Sequence, residues 1–225
     1  MADHPHDDHP HDPHGSDDHG HEYDDHSDVP APIALRVKAL QSLLVEKGIV
    51  DQAALDEIVD RYEHRIGPHT GARAVARAWL DLAYRARLLD DGIEAVADVG
   101  VGGWRHGVRL VALENTPEVH NVVVCTLCSC YPTPLLGPPP VWYKSAPYRS
   151  RVVREPRAVL SEFGTEVPDT VEVRVWDSNS EVRYMVVPER PAGTDGLDET
   201  ALAALVTRNA MIGVERARTP AGERG

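Results

Sequence analysis

The chain has 225 residues, 42% of them hydrophobic, which suffices for one ordinary domain with extensions. Its formal net charge is −13, but residues 1–30 hold ten Asp or Glu and no Lys or Arg, leaving only about −3 for the remainder. That balance argues against a nucleic-acid surface. No run approaches the roughly 18–20 apolar residues of a membrane-spanning helix, and no apolar stretch follows the acidic N-terminus as in a signal peptide, so a cytoplasmic location is expected.

The first segment, residues 1–30, is a His/Asp-rich tail with eight of the twelve histidines. It has too few apolar residues to offset its ordering entropy, and disorder is expected. It reads as a solubilising tail, or as a weak reservoir for divalent metal, since imidazole and carboxylate are both ligands. Residues 31–95 read as a helical arm that wraps a partner subunit or packs on its own domain. A first helix over 33–47 carries a stripe of Leu35, Ala39, Leu40, Leu43 and Leu44, stopped by Gly48. A second starts near Asp51, with Leu55, Ile58, Val59, Tyr62 and Ile66 on one face. A third is expected from Thr70 to Leu89.

From residue 96 to 216 the pattern changes to short β-rich runs. Val108–Leu113 and Asn121–Val124 read as strands. Val171–Trp176 and Val182–Val187 flank the polar stretch Asp177–Glu181 and suggest a hairpin. Tyr148–Phe163 reads as a helix interrupted near Pro156, Asp198–Arg208 as a last helix and Met211–Val214 as a final strand. Residues 217–225 read as a flexible C-terminus. Helices and strands segregate, so the fold class is α+β.

All three cysteines fall within six residues, as Cys125-Thr126-Leu127-Cys128-Ser129-Cys130. A disulfide is disfavoured by the odd count and the expected reducing compartment. Structural zinc wants four ligands, usually two separated pairs, and His120 is the one nearby histidine. A third reading uses the backbone. The amide nitrogens of Ser129 and Cys130 lie between two sulfurs and could close small chelate rings if deprotonated. Three thiolates and two amidates carry five negative charges, which suits a trivalent ion with one coordination position left open. Spacing alone does not select among these.

The segment Val124–Pro132 resembles the signature of nitrile hydratase α subunits, and further blocks agree in order over roughly residues 33–215. These are Leu113–Pro117, Trp142–Lys144, Tyr148–Arg157, Val175–Ser178 and Arg190–Thr194. The resemblance implies an N-terminal helical arm followed by a layered α/β/β/α-type domain carrying the metal loop. It implies low-spin Co(III) held by Cys125, Cys128, Ser129 and Cys130. Thr126 matches the cobalt-type pattern rather than the iron-type Fe(III) pattern, which usually has Ser there. It further implies that Cys128 is oxidised to a sulfinic and Cys130 to a sulfenic acid. Cys130, Ser129 and Cys128 would form the catalytic group.

By the same resemblance, Asp177, Glu181 and Arg183 form a polar network near the loop, with Asn115 and His120 bracing it. Tyr131 and Thr133 line the substrate pocket. Two positions depart from the family. Thr133 stands where many members carry Trp, which should enlarge the pocket. His106 stands where they carry Gln, placing a titratable imidazole beside the network. The implied enzyme hydrates nitriles as an αβ heterodimer pairing into a heterotetramer, with cationic side chains from the β subunit and a metal-insertion activator. A thiocyanate hydrolase γ-type subunit is the enzymatic alternative, and a non-catalytic metal-binding module the alternative from another class.

Overall fold

In the computed structural model, residues 32–60 and 67–220 are described. The His/Asp-rich tail, Tyr62, Ile66 and residues 221–225 lie outside them. The chain divides into two compact units, one ending at Gln52 and the other starting at Ala53. In the first unit, α1 (Pro32–Glu46) forms where expected. Its Leu35, Leu40 and Leu43 are about half exposed. Gly48 follows with a positive φ, the left-handed conformation that ends many helices. Helix α2 (Gln52–Asp60) begins as predicted and buries none of its side chains.

The expected third helix is broken in two. α3 (Pro68–Leu80) stops at Asp81, whose carboxylate accepts from the backbone amides of Ala83 and Tyr84 and starts α4 (Leu82–Asp90). Asp91 repeats the device for α5 (Gly92–Ala97), a helix the periodicity did not suggest. An aspartate that caps the following turn offers the backbone a better partner than continuing the helix does. α3 buries Ala74, Val75 and Ala78 completely, while α4 and α5 pack on β1 (Arg109–Glu114).

The other strands are β2 (Val119–Val124), β3 (Glu172–Asp177) and β4 (Val182–Val187). The expected β3–β4 hairpin does not form. β1 pairs with β4 and β2 with β3, both in parallel, giving a pair of two-stranded sheets. The polar stretch after Asp177 carries the chain from one sheet to the other instead of turning it back. β2 shows why: Val122, Val123 and Val124 are all buried, the near-continuous apolar run of a strand covered on both faces. β4 touches β2, and α9 (Pro156–Glu162) covers β3, so the order is helices, sheet, sheet, helix. The α+β class is therefore as expected.

Between β2 and β3 the chain forms α6 (Thr133–Leu136), α7 (Val141–Lys144) and α8 (Ala146–Arg151) before α9. The interruption of the expected 148–163 helix at Pro156 is observed. The last expected helix is shorter, α10 (Glu199–Ala203). The expected strand 211–214 is corrected: Met211 and Ile212 belong to α11 (Arg208–Ile212), capped by the Thr207 hydroxyl, which accepts from Ala210 N at 3.0 Å. Gly213 closes that helix with φ +90°, and a Cβ there would collide with the Asn121 carbonyl, so the residue is needed for close approach to β2.

Candidate metal centre

The cysteine loop leaves the buried end of β2. Val124 pairs with Asp177, and Ser178 N donates to Val124 O at 2.7 Å, prolonging the ladder by one bond. Parallel pairing thus delivers the end of β3 to the start of the loop. There Asp177 accepts from Thr126 N at 2.9 Å and from Thr126 Oγ1 at 2.5 Å. From the other side Tyr143, fully buried on α7, donates its hydroxyl to Cys130 O at 3.0 Å. Tyr148 on α8 donates to Val123 O at 2.7 Å, and Arg149 to Thr126 O at 3.4 Å. The loop is held at its first turn by a carboxylate and at its end by a phenol.

The three sulfurs converge. Cys125 is buried, Cys130 partly buried and Cys128 exposed, and all three Sγ atoms lie within 4.8 Å of one another. The separations are 3.4 Å from Cys125 to Cys128 and 3.1 Å from Cys128 to Cys130. Hydrogen bonds from Cys130 and then Cys125 stabilise the Cys128 thiolate and bring its pKa down to about 7; the backbone amides of Cys130 and Ser129 act in the same direction. Burial, and then the hydrogen bond to Cys128, push Cys130 up to about 12, while the Arg183 guanidinium pulls the other way. One proton leaves easily and the next does not, because burial and the hydrogen bond to Cys128 both hold the proton on Cys130. A cation drawn among the three converging sulfurs would favour loss of the remaining protons, so the donor set fits a metal ion.

Among the described residues this is the one cluster of metal-ligand side chains, and His120 is not part of it. His120 donates from Nε2 to Gly213 O at 2.7 Å and faces Asn115 Nδ2 with Nδ1 at 3.4 Å. Asn115 Oδ1 in turn accepts from Asn121 N. His120 thus fastens β2 to the end of α11 and Asn115 ties the turn between β1 and β2, and neither is hydrogen-bonded to a cysteine among the described residues. Trp142 packs edge-on against Tyr148 and Phe163, with centroids 4.8 and 4.7 Å apart.

A cavity of about 540 Å³ adjoins the loop, with Trp104, Arg105, Val108, Tyr131, Thr133 and Arg183 in its wall. The structure thus brings Tyr131, Thr133 and Arg183 together, and Asp177 reaches the loop directly. Arg183 donates to the carbonyls of Asn179 and Val182. Glu181 is exposed; its main chain bridges Arg109 and Asn179. His106 is exposed in the turn before β1 and is not among the described lining residues. Sequence reasoning missed Tyr143, Tyr148 and Arg149 as supports of the loop. Their only local signal is that they stand in a proline-punctuated stretch where buried aromatics are otherwise unexplained.

A three-cysteine loop at the end of a buried parallel strand, in a helix–sheet–sheet–helix domain, defines a metal-binding α+β protein. The model of the nitrile hydratase alpha chain matches residues 31–215, and the chain belongs to that family. It is 55% identical over 192 residues to the cobalt-containing nitrile hydratase subunit alpha of Pseudonocardia thermophila, covering 85% of this chain and 94% of that one. It is 45% identical over 202 residues to the thiocyanate hydrolase subunit gamma of Thiobacillus thioparus, covering 82% and 83%. Among solved structures, a double mutant of the Fe-type nitrile hydratase from Comamonas testosteroni Ni1 superposes with a TM-score of 0.74 at 40% identity, covering 86% and 97%.

Proposed function

We propose that this chain is the catalytic α subunit of a cobalt-type nitrile hydratase, a hydro-lyase that adds water across C≡N to give an amide. The observation that carries the reading is the convergence of three cysteine sulfurs on a buttressed loop in a chain of this family. Cobalt is favoured over iron by Thr126 and by the cobalt-containing relative. The sulfurs of Cys125, Cys128 and Cys130 and the amide nitrogens of Ser129 and Cys130 would hold Co(III). Bound there, the ion would supply Lewis acidity toward a nitrile or a water molecule.

The chain's own residues define the rest. Cys125, buried and bonded to the Cys128 amide at 3.3 Å, serves as a plain thiolate anchor. Cys128, the exposed one of the three, is the most accessible to an oxidant and takes the sulfinic state. Cys130 directly precedes the cavity-lining Tyr131 and, as a sulfenate, carries the oxygen that accepts a proton from water or attacks the nitrile carbon. Arg183 stabilises negative charge at that sulfur. Tyr143 holds the Cys130 carbonyl and so limits the sulfur's excursion. Tyr131 and Thr133 shape the space for the nitrile substituent.

Activity requires a β subunit, in an αβ unit or its α2β2 dimer, and a metal-insertion activator. The apolar face of α1 is a suitable surface for that subunit. Among the described residues no helix is long and apolar enough to cross a membrane. Co-expression with the β subunit and activator, followed by assay on acrylonitrile, benzonitrile and thiocyanate, tests the reading. Amide formation from the nitriles is expected. Turnover of thiocyanate with no nitrile hydrated would contradict it and favour the γ-type alternative.

A further inference from the structure

We infer that Arg105 is a specificity-determining residue that selects nitriles carrying an anionic substituent, an inference that rests on the proposed nitrile-hydrating role of the adjoining loop. The cavity beside the loop has two guanidinium groups in its wall, Arg105 and Arg183, and no carboxylate among its described lining residues. The two cations differ in their commitments. Arg183 is tied to the Asn179 and Val182 carbonyls and acts on the Cys130 sulfur. Arg105 has neither a salt bridge nor a side-chain hydrogen bond among the described residues, and it is exposed. Its backbone is set by the tight turn in which Arg105 O accepts from Val108 N at 3.1 Å, next to the half-buried Trp104.

A long cation left unpaired in the wall of a cavity lowers the energy of an anion inside it and does little for a neutral guest. The cavity volume is within the range of small-molecule sites. Trp104 and Tyr131 bring aromatic rings to the wall, and Thr133, small and neutral, lines the same cavity as Arg105. The substrate that fits this wall is an aryl or short alkyl nitrile with a carboxylate at the end remote from the C≡N group.

A matched pair isolates charge from shape: 3-cyanobenzoate and 3-cyanobenzamide are nearly isosteric and differ by one negative charge. With the cobalt-loaded αβ enzyme, kcat/KM for the benzoate should exceed that for the benzamide. In Arg105→Gln that ratio should fall about tenfold or more, as for loss of one charge-assisted hydrogen bond. The native ratio should also shrink as salt is raised. A second readout does not depend on turnover: calorimetric affinity for the product 3-carbamoylbenzoate should weaken in Arg105→Gln by a similar factor. Metal content and melting temperature of the variant are checked against the native enzyme. Hydration of both nitriles without a charge preference, or a ratio unmoved by Arg105→Gln, overturns the inference while leaving the proposed function intact. Hydration of neither, with cobalt fully loaded, overturns the proposed function itself.

Discussion

Thr126 gives both its backbone N–H and its hydroxyl to the carboxylate of Asp177, 51 residues further along the chain. The contact exists because β2 and β3 run in parallel and end together, with Val124 opposite Asp177. It clamps the residue that directly follows the buried Cys125. Asp177→Ala removes both acceptors and leaves the Thr126 amide to water. A loss of about tenfold to a hundredfold in cobalt retention or activity is expected, as for other groups that orient metal ligands. Thr126→Ser keeps both bonds and should retain metal. Cobalt content per chain after gel filtration separates the two variants.

Tyr143→Phe deletes the hydroxyl that donates to Cys130 O and leaves that carbonyl short of a partner. The phenyl ring still fills its buried site beside Tyr131 and Trp142. Stability should fall by about 1 kcal/mol. Activity should fall further than that, because the sulfur of Cys130 loses its restraint. Thermal unfolding measured beside kcat distinguishes the two losses; an unchanged kcat would remove Tyr143 from the account of the loop.

His120 sets a pH dependence of stability. Burial depresses its pKa below the ordinary 6.5, partly opposed by its hydrogen bond to Gly213, while Arg216 and Arg157 lower it further. The unfolded chain therefore binds more protons once the pH drops below 6.5. This contribution to stability is complete above that value and is lost as pH falls toward the depressed folded value. Melting temperatures of the native chain should decline across that window, and those of His120→Gln should decline less steeply. Parallel profiles would show that the histidine is not the group responsible.

Thr133→Trp should narrow the cavity that Thr133 lines. The ratio of acrylonitrile to benzonitrile turnover is then expected to rise by about tenfold, the usual worth of a steric change in an apolar pocket. Equal effects on both nitriles would place the substrate elsewhere.

Asp81→Ala tests a structural reading that periodicity could not supply. Its carboxylate caps α4 and breaks what would otherwise be one helix. A loss of about 1 kcal/mol, or roughly 2–4 °C in melting temperature, is expected.

What was legible in the sequence was local. The α1 stripe, the Val122–Val124 run and the cysteine spacing each follow from residues within a few positions of one another. The family resemblance added Asp177, Arg183 and Thr133; the first accepts from the loop at Thr126 and the other two line the cavity. What stayed hidden was nonlocal. Asp177–Glu181 has the composition of a hairpin turn, yet the partner of β3 is β2, chosen by burial of apolar faces that no turn motif reports. Met211 and Ile212 are apolar enough for a strand, but the Thr207 cap and Gly213 make them one turn of helix. Tyr143 and Tyr148 reach the loop only after α7 and α8 fold back over it.

The central claim is that the three cysteines hold a trivalent cobalt and are unequally oxidised. Metal analysis combined with the intact mass of the peptide spanning Cys125–Cys130, taken from the αβ complex made with its activator, tests it most directly. One cobalt per chain is expected, with two oxygens added at Cys128, one at Cys130 and none at Cys125. Zinc on three unmodified thiolates would contradict it.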